Sequence, residues 1–597
     1  MTYRASTASS LAIVLAIGAL LPGCNIEAAG SDPEPTPVGE CPADEEGTSP
    51  PIVLACDAFS EAQTLTDDPE RAVDYLVDCQ ASVTAPVTIE AGTVLAFETE
   101  AGLVIRDGGS IDARGDDCEP VVFEGVAHRP GAWKGIFVNS AEDNLLSKVR
   151  ITDAGGAAFN SNGDLGSVVL YADARLTMRD SHLSNGAAHG LNGSYGGSTL
   201  IWERNVVESH AAEPLRIDAA LADALDGAST FAGNARDAVL LVRGRLEAPA
   251  VWARLDVPYQ VDRDVLIDSK DSLLLEAGVR VAFDTDAGLK ATTGRLTIDG
   301  AADAPVELYG VNEEPGRWRG VFVGSGESNR ITHAEIRHAG GNSFNSNGDL
   351  GAIVVYADAE LSLEETSVSD SGADGLNANY GDATLAFEGG NRFTGNLGRP
   401  IFLGAYEAAA LTADTVVEGN PGGDFVYVWV SDLDDGVTEW EALSVPYRVT
   451  TQSDIFREIN VRDQATLRLL AGVSMVFEGG TGIEADGGSL EFQGTASAPI
   501  EMVGSQSTPG HWKGLFTNGS ATAATYQLNH VRIGHAGSGA FNSNGDEGAI
   551  IVWADTTLTA NNLTIFDNAA ACDITADYNG DVLQVTNSPG LNICDGP

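Results

Sequence analysis

The sequence predicts an all-β solenoid of short parallel strands, built from three long modules. Three observations carry that expectation. First, the chain repeats itself at long range: "AFNSNGDLGSVVLYADARL" (158–176) returns as "SFNSNGDLGAIVVYADAEL" (343–361) and as "AFNSNGDEGAIIVWADTTL" (540–558). Second, the runs of Val, Ile, Leu and Phe are short, and Gly, Asn or Asp punctuates them at regular intervals, as in "VTIEAGTVLAF" and "SVVLYADARLTM". Third, helical periodicity is nearly absent, Leu215–Leu225 being the best exception. Tight two-residue hairpin signals between long strands are also missing, which favours strands that pair one winding away over a hairpin-built sandwich.

The elements repeat in a fixed order. "EAGTVLAF" (90–97) answers "EAGVRVAF" (276–283) and "LAGVSMVF" (470–477), and each supplies a strand entered through a Gly turn. "GAWKGIFV" (131–138) answers "GRWRGVFV" (316–323) and "GHWKGLFT" (510–517), each a turn followed by an apolar strand. "LDVPYQV" (255–261) answers "LSVPYRV" (443–449). Five segments follow: a leader at 1–23, an acidic Pro-rich tether at 24–60, and modules at 61–257, 258–446 and 447–597, the last truncated by a C-terminal cap. A winding of three short strands and three connections takes roughly 20–25 residues, which would space the FNSNGD copies about 40 Å apart.

"GGSIDARGDDCEPVVFEG … PGAWKGIFV", with its copies "GRLTIDGAADAPVELYG … PGRWRGVFV" and "GGSLEFQGTASAPIEMVG … PGHWKGLFT", resembles the right-handed parallel β-helix repeats of bacterial surface proteins in the pectin-lyase-like fold class. The resemblance covers nearly everything after residue 80 and implies a right-handed winding. It does not choose a function, since the class includes lyases, hydrolases, adhesins and lipoproteins. Pectate-lyase-like enzymes need a calcium-binding carboxylate cluster and a basic proton acceptor, and no segment matches those motifs residue by residue.

Charge and leader narrow the setting. The chain has 33 basic against 86 acidic residues, a net charge of −53, which repels nucleic acid and attracts cations. "MTYRASTASSLAIVLAIGALLPGC" has an early Arg4, a short apolar run and a Leu-Pro-Gly-Cys ending that resembles a bacterial lipobox. Cys24 is therefore the expected lipid-attachment site, and Asn25 after it favours the outer membrane. Six further cysteines suit disulfides in an oxidising compartment. Cys572 and Cys594 are the expected C-terminal pair; Cys41, Cys56, Cys79 and Cys118 leave three pairings open.

Two sets of recurring residues are candidate sites. Asn160, Asn162 and Asp164, with Asn345, Asn347 and Asp349 and with Asn542, Asn544 and Asp546, form either a structural corner or an oxygen-rich loop for Ca²⁺. Trp133, Trp318 and Trp512 precede Lys134, Arg319 and Lys513; they either stack on sugar rings beside a base that meets an acidic glycan, or close the apolar interior. His189 aligns with Asp374 and Cys572, so no general base is kept in every copy, and no catalytic residue is assigned. The expected function is a lipid-anchored envelope protein with a structural or ligand-binding role toward carbohydrate or another surface component. A polysaccharide lyase or glycosidase for an acidic glycan, and a passive spacer, are the alternatives.

Overall fold

Each strand pairs with a strand one winding later rather than with its neighbour in sequence. Ile52–Leu54 lies beside Tyr75–Val77, which lies beside Val94–Phe97 and then Val121–Gly125, all parallel and in register. The same rule builds seven sheets, the largest of fourteen and twelve strands. The fold is nearly all-β, with parallel sheets stacked as in a parallel β-solenoid. The computed structural model describes residues 47–451, 457–519, 524–539, 541, 545–576 and 582–595, which belong to one unit. Cys24, Cys41, Asn542 and Asn544 lie outside the described residues. Among those described, no helix is long and apolar enough to cross a membrane.

The interior follows from period-two alternation. Leu103, Ile136, Val168, Leu191, Leu215 and Val239 point inward one above another, joined by consecutive ladders, and all are buried. A parallel ladder in register places like against like, so each apolar side chain covers its counterpart. The stretch Leu215–Leu225 is not a helix of any length: Leu215–Asp218 is a strand, and only Ala219–Ala224 turns as a 3₁₀ segment. The first winding begins at Ile52, inside the stretch expected to be a tether, because a disulfide from Cys56 to Cys79 fastens it to the next winding. At the other end Cys572 is bonded to Cys594, as expected.

Windings differ in length. Partners lie 20 residues apart at Val239 and Tyr259, but 32 apart at Ile136 and Val168 and at Phe322 and Val354. The windings that contain the FNSNGD segment are long, and so are the ones before them, with Leu103 and Ile136 33 residues apart and Gly288 and Gly320 32 apart.

Buried asparagines close the corners. Asn205 Oδ1 accepts the Ser181 N–H at 3.0 Å while its Nδ2 donates to Met178 O at 2.9 Å. Asn391 does the same for Thr366 and Leu363, and Asn396 for Ser371 and Val368. One side chain thus satisfies a donor and an acceptor that a sharp bend would leave orphaned. His210 occupies the first-module position of Asn396. Its N–H goes to Asn234 Oδ1 as that of Asn396 goes to Asn420 Oδ1, both at 3.0 Å, and its Nε2 lies 3.0 Å from Ser167 Oγ. Burial lowers the His210 pKa from 6.5 to about 4.

A ring held neutral in the fold but free to protonate when unfolded costs stability in acid. That contribution is absent above about pH 6.5, grows as the pH falls and levels near pH 4, amounting to about 3 kcal/mol at full expression. His210→Asn, the side chain the second module uses, is expected to flatten urea midpoints over that window relative to the parent. Parallel slopes for the two proteins would refute this role.

Candidate functional site: grooves beside the straps

The three tryptophans belong to the interior. Trp133 stacks on Phe97 with ring centroids 4.1 Å apart, Trp318 on Phe283 at 4.1 Å and Trp512 on Phe477 at 3.9 Å, nearly parallel in each case. Each indole N–H donates to a carbonyl, of Thr152, Arg337 and Gly534 respectively, at 2.7–2.8 Å. With at most 1% of these residues exposed, no indole face is left for a sugar. The glycan-stacking role is therefore corrected to a packing role. The basic residues that follow are also engaged: Lys134 with Gln80, Arg319 with Asp264 and Lys513 with Glu458.

Where it is described, the FNSNGD segment is a strap across the outer face of a sheet, and it turns at residues 160–163, where the Gly163 N–H donates to Asn160 O and the Asn162 N–H to Asn160 Oδ1. Outward-pointing Val104, Phe137 and Val169 would be wet apolar surface; Phe159 of the strap and Tyr171 cover them. Phe344 and Tyr356 cover Phe322 and Val354 in the same way, and Phe541 stacks on Phe516. Gly102, Gly288 and Gly482 recur under the strap because a Cβ there would press within 2.6–3.2 Å of the covering Phe ring. The base after the second and the third Trp helps: Arg319 lies over Phe344 and Lys513 over Phe541.

Polar groups lock the strap. Asp164 accepts from Asn160 Nδ2 at 2.6 Å and from the Tyr195 hydroxyl at 3.0 Å, while Asn162 Nδ2 donates to Tyr195 at 3.2 Å. Asn345, Asn347, Asp349 and Tyr380 repeat the set. Burial, and then the bond to Asp349, raise the Tyr380 phenol to about 12. The carboxylate is thus spent on an amide and a phenol. Asp173, Asp358 and Asp555 do not complete a metal set: among the described residues no group of three or more His, Cys, Asp or Glu could hold an ion.

The straps do not share a face. The first lies on the fourteen-stranded sheet, the second on the twelve-stranded sheet and the third on a seven-stranded sheet. The fourteen-stranded sheet carries the strap in module one but the Trp-stacked Phe283 in module two. The twelve-stranded sheet likewise carries the second strap and then Phe477. Equivalent patches therefore do not line one continuous surface.

Beside the first strap a groove of about 560 Å³ opens over the outer face of the fourteen-stranded sheet. Tyr195 and the strap form one wall. Asn192 and Arg216 stand side by side on adjacent strands, and Arg216 reaches Asn192 Oδ1 at 3.4 Å. The ladder slips between Ile217 and Asp218, which sets Asp218 across from Arg243. Four arginines line this groove. Arg236 is held by Glu213 and Arg263 by Asp262, whereas Arg216 and Arg243 form no salt bridge among the described residues.

Beside the second strap the corresponding position holds a pocket of about 290 Å³ of opposite character. Aligning "PLRIDAALADAL" (214–225) with "PIFLGAYEAAAL" (400–411) sets Ala220 against Tyr406 and Leu221 against Glu407. Aligning "VLLVRGRL" (239–246) with "VYVWVSDL" (426–433) sets Val242 against Trp429 and Arg245 against Asp432. Gly197 answers Asp382. Sequence reasoning passed over all of these because it searched for what the modules share; the informative signal is where they differ.

One difference is only structural. His189 Nδ1 lies 3.2 Å from Glu213 Oε2 in module one, and Arg399 Nη2 lies 2.6 Å from Asp374 Oδ2 in module two. Position by position the charges are exchanged, so the inter-winding pair survives with its polarity reversed. Burial pushes the Glu213 carboxyl up, but His189 and Arg236 override it and hold it at about 2.

No protein-family model, curated protein or solved structure matches this chain.

The two sets of recurring residues should respond differently to substitution. Trp133→Ala is expected to cost about 3–5 kcal/mol as a large buried ring is deleted. Asp164→Asn combined with Asp349→Asn is expected to cost about 1–3 kcal/mol per strap, through lost charge-assisted hydrogen bonds. That loss should be the same in EDTA and in excess Ca²⁺ when melting is followed by circular dichroism. A Ca²⁺-dependent stabilisation present in the parent and absent in the double variant would restore the metal loop.

Proposed function

We propose that this chain is a ligand-binding right-handed parallel β-helix of the bacterial envelope, tethered through lipidated Cys24, and that its first groove takes an acidic saccharide. The observation that carries this is the pair Arg216 and Arg243. In a chain of net charge −53, two guanidinium groups that form no salt bridge among the described residues line one groove, with Asp218 the acid across from Arg243. Planar guanidinium forks match carboxylate geometry, and no other basic side chain is as well suited to a fixed anion. Tyr195, half-buried at the rim, offers part of a ring face to a sugar, and Asn192 and Ser194 offer polar atoms for hydroxyls. The surrounding negative field disfavours a bulk polyanion docking elsewhere on the surface, which confines recognition to the groove.

The straps support a binding role over a catalytic one at this place. Asp164, the acid that lines the groove, is committed to Tyr195; Glu213 is committed to Arg236, and Asp218, across from Arg243, caps the next turn through the Ala220 N–H.

Titration calorimetry with oligogalacturonate and with its methyl ester tests this. The acid form should bind, and the ester, lacking the charge, should bind about tenfold more weakly. Arg216→Ala with Arg243→Ala should bring acid-form binding down to the ester's. Equal binding of both forms by parent and variant would refute the site, and unsaturated products or new reducing ends would establish the lyase or glycosidase alternative.

A further inference from the structure

We propose that the second-module pocket binds an amino alcohol, with its ammonium group held by Glu407 and the surrounding aromatic rings and its hydroxyl held by the Trp429 indole N–H. The pocket is small, at the lower end of ligand sites, with room for a single small unit. Tyr380, Tyr406 and Trp429 line it, and Tyr406 projects with 56% of its surface exposed although nothing in the fold requires an aromatic there. Module one builds the same turn with Ala220.

Two buried polar atoms in this pocket lack partners. Glu407 is 3% exposed and its Oε1 accepts no hydrogen bond; Trp429 Nε1 donates none. Such groups cost about 1–3 kcal/mol each when left unsatisfied, and a ligand that bonds both recovers it. The Glu407 carboxyl and the indole flank one point: a Cβ on Gly404 would press on Glu407 Oε2, which shares its carboxyl with the unpartnered Oε1, and would lie 3.2 Å from Trp429 Nε1. The donor and the acid are therefore within reach of adjacent atoms of one ligand. An acceptor-seeking N–H asks for a hydroxyl, and a carboxyl among aromatic faces asks for a cation.

The charge balance points the same way. Asp432 is spent on Arg462 and Asn460, and Glu458 on Lys513, but Asp382 and Asp434 form no ion pair among the described residues. Burial chiefly, and Asp382 to a lesser degree, raise the Glu407 carboxyl above its ordinary range, against backbone N–H groups that lower it. An arriving ammonium relieves both the burial penalty and the repulsion. The amine arrives free, as in ethanolamine, or on a sugar, as in glucosamine; both carry the amine and the hydroxyl on neighbouring carbons.

Ligand-observed NMR and calorimetry on the full chain test the assignment with ethanolamine, glucosamine, ethylamine, glucose and N-acetylglucosamine. The amino alcohols should bind about tenfold tighter than their neutral or hydroxyl-free counterparts. Ethanolamine equal to glucosamine assigns the free amine; tighter glucosamine assigns the sugar. Tyr406→Ala, at an exposed position that should not disturb folding, and Glu407→Gln, nearly isosteric, should each weaken binding about tenfold. The remote exposed Asp143→Asn should not, which separates the pocket from the general attraction of an acidic surface for cations. Glucose binding as tightly as glucosamine, or no effect of either pocket variant, would overturn the proposal. The Arg216/Arg243 double variant should leave these affinities unchanged, so failure of the acidic-saccharide site and failure of this one are told apart.

Discussion

Coil-to-coil register is the constraint from which the rest of this structure follows. Once Ile136 sits on Leu103 and Val168 on Ile136, every inward position is bound to its neighbours above and below, and every outward position is bound with it. A one-residue slip would turn the whole interior toward water, so register is strongly held wherever one face is apolar. The interior can therefore vary only in size, and it does, from Ala to Trp. The outer face has no such restriction, and the chain spends its chemical variety there. The one slip among the described strands, between Ile217 and Asp218, falls beside the first groove and ahead of a 3₁₀ turn.

That constraint also explains why the most repeated words in the chain are structural. A module needs one stacked Trp–Phe plate to fill a wide cross-section, and one strap where the outward row becomes apolar. Phe137 and Phe322 are buried because Phe159 and Phe344 cross over them. The polar residues of the strap then have a defined task, which is to hold a crossing chain without a strand partner. Asp164 bonded to Asn160 and Tyr195 achieves this within the protein. Repetition in a solenoid marks what the scaffold requires, and departures from repetition are where ligand chemistry has room to arise.

The sequence made the architecture legible and left the sites hidden, for physical reasons. Alternation, Gly punctuation and long-range repeats report backbone pairing, which is local in each winding, and the stacked parallel sheets follow from them. The Trp residues were legible as core candidates, but their stacking on Phe97, Phe283 and Phe477 joins residues 35 or 36 apart, a spacing no local periodicity reports. The strap was legible as recurring turn chemistry, yet its load is carried by Phe159 and by outward Val104, which alternation alone assigns to solvent. Arg216, Arg243, Glu407 and Trp429 come from neighbouring windings and meet only after stacking. Their signal lay in the mismatch between "PLRIDAAL" and "PIFLGAYE", and a search for shared motifs discards mismatches by design.

The exchanged ion pair shows how to weigh such mismatches. His189 with Glu213 and Arg399 with Asp374 differ at both positions, but the change closes on itself: a basic side chain meets a carboxylate in either arrangement, and the link between windings is kept. The changes around Glu407 do not close. A carboxyl replaces Leu221, an indole replaces Val242 and an acid replaces Gly197, and the result is an unsatisfied oxygen, an unsatisfied N–H and uncompensated charge. Stability alone would favour Leu and Val there, the residues module one has at those positions. Because the two straps lie on different sheets, a single long partner would gain no avidity from a shared face. The modules are therefore best understood as one scaffold used more than once, with the surfaces beside its straps differing in charge and pointed by the fold onto different sheets.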